Sequence, residues 1–213
     1  PVCKEIRADL LTPLSAFLKV AEDADQAFLF ESVEGGEHVA RYSFLGKDPF
    51  LVLRSRNGVT IVEKNGDTTT ETTPFLERLR AVMGDYQAPI VPGLPRFTGG
   101  AVGFLGYDAA SWFEPSLEGI WSRRDAPTTG EDDAGFMLFD TILAFDHVKH
   151  RILVIANARV DPDADLDMAY QLASAKIHFL EQELERTLSE PAEAPPTEKD
   201  VRSNTSQEEF ERA

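Results

Sequence analysis

A carboxylate, a hydroxyl and a guanidinium lie close together near the start of this sequence, on two neighbouring apolar runs. The run of residues 27–32 ends in Glu31 and Ser32, and the run of residues 39–45 contains Arg41. If the two runs pair as strands, Glu31 can attract an ammonium group while Arg41 or Ser32 meets a carboxylate. The arrangement therefore suits a zwitterionic ligand. The alternative interpretation is that these are ordinary polar residues at strand ends.

The most glycine-dense stretch, residues 99–106, does not fit a phosphate-binding loop. Such a loop needs a lysine and a hydroxyl side chain after its last glycine, and Tyr107 and Asp108 stand there instead. Glycines within an apolar strand more often permit a bulge or the close approach of another backbone. We expect these glycines to serve packing.

Two further patterns lack residues that a metal site requires. Aspartates alternate in residues 161–167, but Leu166 and Leu172 stand where a calcium loop needs glycine and glutamate. These acids are instead expected to favour the start of a helix. His147 and His150 have no cysteine or third histidine nearby and are expected at the surface. Local chemistry thus indicates no catalytic or metal residues, and no Gly-x-Ser-x-Gly motif occurs.

Composition argues against several classes of function. The chain has 37 acidic and 21 basic side chains and a net charge of −16, which repels a nucleic-acid backbone where no basic cluster intervenes. Cys3 is the single cysteine, so no intrachain disulfide forms, which fits a reducing compartment such as the cytoplasm. No apolar run reaches the roughly 18 residues of a membrane-spanning helix.

Turn and capping signals predict a chain of mixed helices and strands. Thr12 and Pro13 predict a helix start, and the pairs Asn57-Gly58 and Asn65-Gly66 predict two successive tight hairpins. The other predicted elements are a strand within residues 97–106, a loop at 111–135, a hairpin of runs 136–146 and 151–160, and helices at about 73–84 and 165–189.

The end of the chain differs from the rest. Residues 191–196 are rich in proline and indicate an extended linker, and a capping box at Thr205 and Glu208 predicts a further helix. That helix has about two turns before Ala213, which is marginal for a helix by itself. We therefore predict one domain over residues 1–190 and, over 191–213, a linker and the start of a truncated domain.

Five motifs, in order along the chain, resemble the large subunit of anthranilate synthase and its relatives, aminodeoxychorismate synthase and the salicylate-forming enzymes. The resemblance covers nearly the whole chain. The motifs are Thr12-Pro13-Leu14, Phe30-Glu31-Ser32, Arg41-Tyr42-Ser43-Phe44-Leu45-Gly46, residues 97–104 with Tyr107-Asp108, and Ser203-Asn204-Thr205 before Glu208-Glu209-Phe210.

The resemblance implies an α+β fold of orthogonally packed antiparallel sheets with covering helices, to which both halves of the full enzyme contribute. It also implies that the intact enzyme is a lyase, which converts chorismate to anthranilate and pyruvate with Mg2+ and with ammonia from a glutamine amidotransferase subunit. The chorismate and Mg2+ ligands would belong to a C-terminal catalytic half outside this chain. The present chain is therefore expected to be inactive alone, with no catalytic residue or cofactor of its own.

A feedback site for L-tryptophan follows from the same resemblance, because tryptophan-sensitive members bind it beside a Leu-Glu-Ser strand. Leu29, Glu31 and Ser32 correspond to that strand, with Phe30 inserted after Leu29. Ser32 is expected to matter most, with Glu31 for the amino group, and Arg41 is added from the charge argument above. Two alternatives stay open: the same part of aminodeoxychorismate synthase, which residues 41–46 disfavour, and an independent amino-acid-binding or scaffold domain.

Overall fold

The structure, a computed structural model, describes residues 1–8, 11–31, 41–114, 116–117, 130–187, 203 and 205–212. The strands in this part of the chain are β1 (Val2–Arg7), β2 (Ala27–Phe30), β3 (Tyr42–Lys47), β4 (Leu51–Arg56), β5 (Val59–Lys64), β6 (Asp67–Glu71), β7 (Gly100–Leu105), β8 (Ala134–Phe139), β9 (Thr141–Asp146) and β10 (Arg151–Ala156). The helices are α1 (Pro13–Val20), α2 (Phe75–Gly84), α3 (Leu166–Glu185), α4 (Gln207–Arg212) and a 3-10 helix (Tyr107–Trp112). Of the helices described, none has the length and apolar character needed to cross a bilayer.

The strands form two antiparallel sheets of five strands each. Sheet A has the order β1-β10-β9-β3-β2, and sheet B has the order β6-β5-β4-β8-β7. Every neighbouring pair in both sheets is antiparallel. The predicted α+β class, with antiparallel sheets and covering helices, is confirmed.

Local signals placed the turns and the first helix correctly. Asn57, Gly58, Asn65 and Gly66 have φ angles of 51°, 76°, 54° and 84°, the positive values that a two-residue hairpin turn requires. At the start of α1 the Thr12 hydroxyl accepts a hydrogen bond from the backbone N–H of Ser15. Both features depend on residues within a few positions of each other, so the sequence alone could predict them.

The predicted strand of residues 136–146 is wrong as a single element. The chain changes sheets at Asp140: β8 ends at Phe139 in sheet B, and β9 begins at Thr141 in sheet A. Residues of β9 are buried on both faces, and β8 packs on apolar clusters with both faces, so their apolar residues form one continuous run with no alternation to mark the break. The predicted hairpin is present, but it consists of β9 and β10 only. Strand β8 begins at Ala134, within the predicted loop.

Three buried clusters hold the layers together. Sheet A packs on α1 and α3 with one face, through Leu45, Leu143 and Val154 among others. Its other face meets sheet B, where Ile142 and Leu153 of sheet A lie in one cluster with Val102 of sheet B. The far face of sheet B packs on α2. Each sheet is thus covered by helices on one face and by the other sheet on the other face.

The glycines of β7 permit a close backbone contact, as the sequence predicted. A Cβ atom added to Gly103 would lie 1.9 Å from the carbonyl oxygen of Gly135 and 2.7 Å from the Cα of Phe136. Atoms cannot approach that closely, so any side chain at position 103 would force β7 and β8 apart. Position 103 therefore requires glycine for packing.

The ends of α3 and α4 differ in detail from the predictions. In α3 the expected stripe of Ala173, Ile177, Leu180 and Leu184 is buried, whereas Leu188 lies outside the described residues. At α4 the capping box joins Ser206 and Glu209, not Thr205 and Glu208: Ser206 N–H donates to Glu209 Oε2 at 2.9 Å. Both pairs have the required spacing, and the helix start at Gln207 selects the second.

Candidate ligand-binding site

The predicted site lies at the edge of sheet A, where β2 pairs with β3. The register places Leu29 opposite Leu45 and Phe30 opposite Phe44. Since side chains alternate along a strand, Leu29 turns towards the core formed with α1 and α3, and Phe30 turns to the other face with Phe44. The sequence predicted this pairing of the two runs, and it is confirmed.

An open surface cavity of about 320 Å³ lies at the end of β2. Its described lining residues are Leu29, Phe30, Glu31, Tyr42 and Phe44. Two predicted site residues, Leu29 and Glu31, line this cavity, although the side chain of Leu29 packs into the core on the other face of the sheet. Glu31 is exposed and follows the last residue of β2, where its carboxylate is accessible to a ligand.

Aromatic rings form the wall of this cavity. Tyr42 and Phe44 are stacked, with ring centroids 5.9 Å apart, and the ring of Phe97 meets that of Phe44 edge-on at 5.3 Å. On the neighbouring strand Phe30 lies 5.3 Å from Phe28 and is 55% exposed. Packed rings lose little entropy on binding and offer a flat apolar surface, which suits a planar apolar ligand group.

Sequence reasoning missed Phe30, Tyr42 and Phe44 as site residues. Each was recognised as a strand residue, and apolar strand residues are most often buried. The available signal was that β2 is four residues long and lies at a sheet edge, which leaves the rings beside it partly uncovered. That position depends on sheet order, which local patterns do not reveal.

The other two predicted site residues, Ser32 and Arg41, are not among the described residues that line the cavity. Ser32 lies outside the described residues. Arg41 is absent from the described lining of the cavity, and its Nε and Nη2 atoms donate to the two carboxylate oxygens of Asp146 at 3.1 and 2.9 Å. A ligand role for either residue stays a prediction.

Asp146 is a buried acid with several cationic and backbone donors around it. Its side chain also accepts from the backbone N–H of Lys149 and lies 3.5 Å from the guanidinium of Arg151. Burial by itself would raise the pKa of Asp146, but the hydrogen bonds from Arg41 and Lys149 and the charges of Arg41 and Arg151 lower it below its usual value. Asp146 therefore stays ionised at neutral pH.

The described residues contain no group of three or more His, Cys, Asp or Glu side chains that could hold a metal ion. His147 and His150 are exposed, as predicted from the sequence. His147 Nε2 lies 2.8 Å from the hydroxyl of Ser43, which is buried on β3. This contact ties the β9–β10 turn to the strand beside the cavity.

Two known proteins of similar sequence have the same description. The chain is 39% identical to anthranilate synthase component 1 of Acetivibrio thermocellus, over 86% of this chain and 36% of that protein. It is 37% identical to anthranilate synthase component 1 of Synechocystis sp., over 99% of this chain and 43% of that protein. No protein-family model matches the chain.

A solved structure with the same description is also similar. The crystal structure of anthranilate synthase component I from Streptococcus pneumoniae TIGR4 is 26% identical, with a TM-score of 0.49, over 85% of this chain and 38% of that one. The present chain thus spans between 36% and 43% of the length of the two relatives above.

Proposed function

We propose that this chain, which belongs to the anthranilate synthase component I family, is the N-terminal, tryptophan-sensing part of such an enzyme. In its intact form that enzyme would convert chorismate and ammonia from glutamine to anthranilate and pyruvate, in the cytoplasm, as part of tryptophan biosynthesis. The observation that carries the proposal is the aromatic-walled cavity beside Glu31, at the motif where the family resemblance places the feedback site.

The chemistry of the cavity suits an aromatic amino acid. The stacked rings of Tyr42 and Phe44 offer a surface for an indole, and the Glu31 carboxylate can accept from an ammonium group. Ser32 is proposed to bind the ligand at the same place.

An exposed apolar edge supports the proposal that a further part of the protein packs on this one. Within the described residues β7 pairs with β8 on one side and has no strand on the other. Phe104 and Leu105 of β7 are 54% and 41% exposed, and Phe113 is 61% exposed. Such an edge invites a partner. We propose that the catalytic half packs on this edge and also supplies the chorismate and Mg2+ ligands. Residues 1–190 would then have no activity alone.

Feedback control requires that tryptophan prefer one of two arrangements of the two halves, since a ligand shifts an equilibrium only through such a preference. We propose that tryptophan bridges the cavity and the catalytic half and holds the less active arrangement. The glutamine amidotransferase subunit would bind elsewhere on the intact enzyme.

An amide NMR titration of the 213-residue chain with millimolar L-tryptophan tests the site directly. Saturable shifts centred on Phe30, Glu31, Tyr42 and Phe44, larger than those caused by L-phenylalanine, are expected. Glu31→Gln should weaken the binding, whereas Glu63→Gln on sheet B, as the matched control, should leave it unchanged. Shifts spread over both sheets, or equal weakening by the two variants, would contradict the assignment.

A second test uses the intact enzyme with its amidotransferase subunit. Ser32→Ala should relieve inhibition by tryptophan and leave turnover without tryptophan unchanged. Equal inhibition of variant and wild type would exclude Ser32 from the site. Anthranilate fluorescence of the product distinguishes this enzyme from aminodeoxychorismate synthase, the alternative family member.

A further inference from the structure

Arg41 is held from two directions at the start of β3. Its Nε and Nη2 atoms donate to both carboxylate oxygens of Asp146, at 3.1 and 2.9 Å. Its backbone carbonyl accepts from the backbone N–H of His147 at 3.0 Å. The two contacts join the start of β3 to the end of β9, so both the main chain and the guanidinium of Arg41 have a defined partner.

The same guanidinium lies against the aromatic wall of the cavity. Its central carbon is 4.8 Å from the centroid of the Tyr42 ring, within the range of a cation–π contact. Tyr42 in turn stacks on Phe44, and both rings line the cavity. A continuous series of contacts therefore runs from the buried carboxylate of Asp146 through Arg41 to the surface that a ligand would meet.

We propose that Asp146 is a positioning residue that holds Arg41 so that its guanidinium fixes the Tyr42 ring as the wall of the ligand cavity. Arg41 then contributes to binding through Tyr42, and its role differs from that of a partner for the carboxylate of the ligand. This inference rests on the proposed tryptophan site and deepens it, because it names residues that set the site's preference for an aromatic ligand.

Burial and charge distinguish this arrangement from an ordinary surface ion pair. The Asp146 side chain is 0% exposed, and the Arg41 side chain is 36% exposed. A buried carboxylate that receives two parallel donors fixes the plane of the guanidinium, and a fixed plane can stack on a ring. Lysine at position 41 could keep the charge but could not keep that plane.

The test combines a ligand-free measurement with a binding measurement on the 213-residue chain. Nuclear Overhauser contacts of the Tyr42 ring with Arg41 and Phe44 report the position of the ring without ligand. Asp146→Asn and Arg41→Met should weaken these contacts while thermal unfolding stays cooperative. Tryptophan should then bind about three- to tenfold more weakly, the factor that corresponds to ordering one loosened side chain on binding. Arg41→Lys should restore binding only in part.

Arg54→Met serves as the matched control, because Arg54 pairs with Asp132 and Glu63 on sheet B in a similar way. It should alter neither the Tyr42 contacts nor the affinity. If the Tyr42 contacts are unchanged in Asp146→Asn, the positioning role is excluded, even where tryptophan still binds the wild type. If the contacts weaken as expected but the wild type binds no tryptophan, the positioning role stands, and a tryptophan site formed by this chain without the catalytic half is excluded.

Discussion

The two sheets have the same number of strands but differ in how completely they are covered. Sheet A packs one face on α1 and the 20-residue α3, and its edge strands among the described residues are β1, which carries Lys4, Glu5 and Arg7, and the four-residue β2. Sheet B packs on the 10-residue α2, and its edge strand β7 exposes Phe104 and Leu105. Charged or short edges resist unwanted pairing, whereas apolar edges invite it.

This difference indicates separate roles for the two sheets. Sheet A is covered by helices on one face and by sheet B on the other, and it supports the cavity at its β2 edge, so we expect its structure to depend little on a partner of this chain. Sheet B ends in a surface whose composition resembles an interface. We therefore expect core substitutions in sheet A to lower the free energy of unfolding most. Substitutions in β7 should mainly affect contact with a partner.

The largest loss of stability is expected when a core side chain of sheet A is shortened. Leu143→Ala in β9 removes a side chain that is 0% exposed, which should lower the free energy of unfolding by about 3 kcal/mol. Leu105→Ala in β7, at a position 41% exposed, should cost less than about 1 kcal/mol. Urea denaturation followed by circular dichroism measures both. Similar losses for the two variants would contradict the difference in coverage.

A somewhat smaller loss of stability is expected from a substitution where β7 contacts β8. Gly103→Ala would place a methyl group against the backbone of Gly135 and Phe136, so we expect a loss of about 2–3 kcal/mol from forced strand separation. The matched control is Gly84→Ala at the end of α2, where a Cβ atom would meet nothing within 4 Å. That control should be neutral or slightly stabilising. A neutral Gly103→Ala would mean that β7 can move away at little cost.

The ion pair of Asp146 and Arg41 in sheet A should make a moderate, pH-dependent contribution to the free energy of unfolding. Asp146→Asn should cost about 1–2 kcal/mol at pH 7, because a partly exposed Arg41 loses its ionised partner. The folded pKa of Asp146 is lowered, so the stabilisation is full above the unfolded pKa of about 3.9 and is lost as the pH falls through the folded value. Urea midpoints of variant and wild type should therefore converge in acid, and a constant difference would exclude the mechanism.

The smallest effect on stability, but a distinct effect on association, is expected at the exposed edge. Phe104→Ser should change the free energy of unfolding by less than about 1 kcal/mol and reduce self-association of the chain at high concentration. Leu172→Ser on α3, at a position 59% exposed, is the control and should leave association unchanged. Sedimentation velocity measures both. Equal changes for the two variants would indicate general surface hydrophobicity in place of a specific edge.

Part of the site was predictable and part was not. The sequence indicated that the runs holding Glu31 and Arg41 pair as strands, and β2 and β3 do pair. It did not indicate that Tyr42 and Phe44 would face an open cavity, because that depends on β2 being the edge of the sheet. Nor did it indicate that Arg41 would pair with Asp146, which lies 105 residues further along the chain.

The sequence by itself determined the hairpins and the helix starts, because those signals lie in residues within a few positions of each other, and it carried the family resemblance in short motifs. Tertiary structure alone decided the break at Asp140, the Arg41–Asp146 contact and the buried pair of Lys47 and Glu183, whose residues are 136 positions apart. The physical reason is register: which side chains meet across a sheet depends on the order and alignment of strands. A local pattern fixes a strand's shape but leaves its neighbours undetermined.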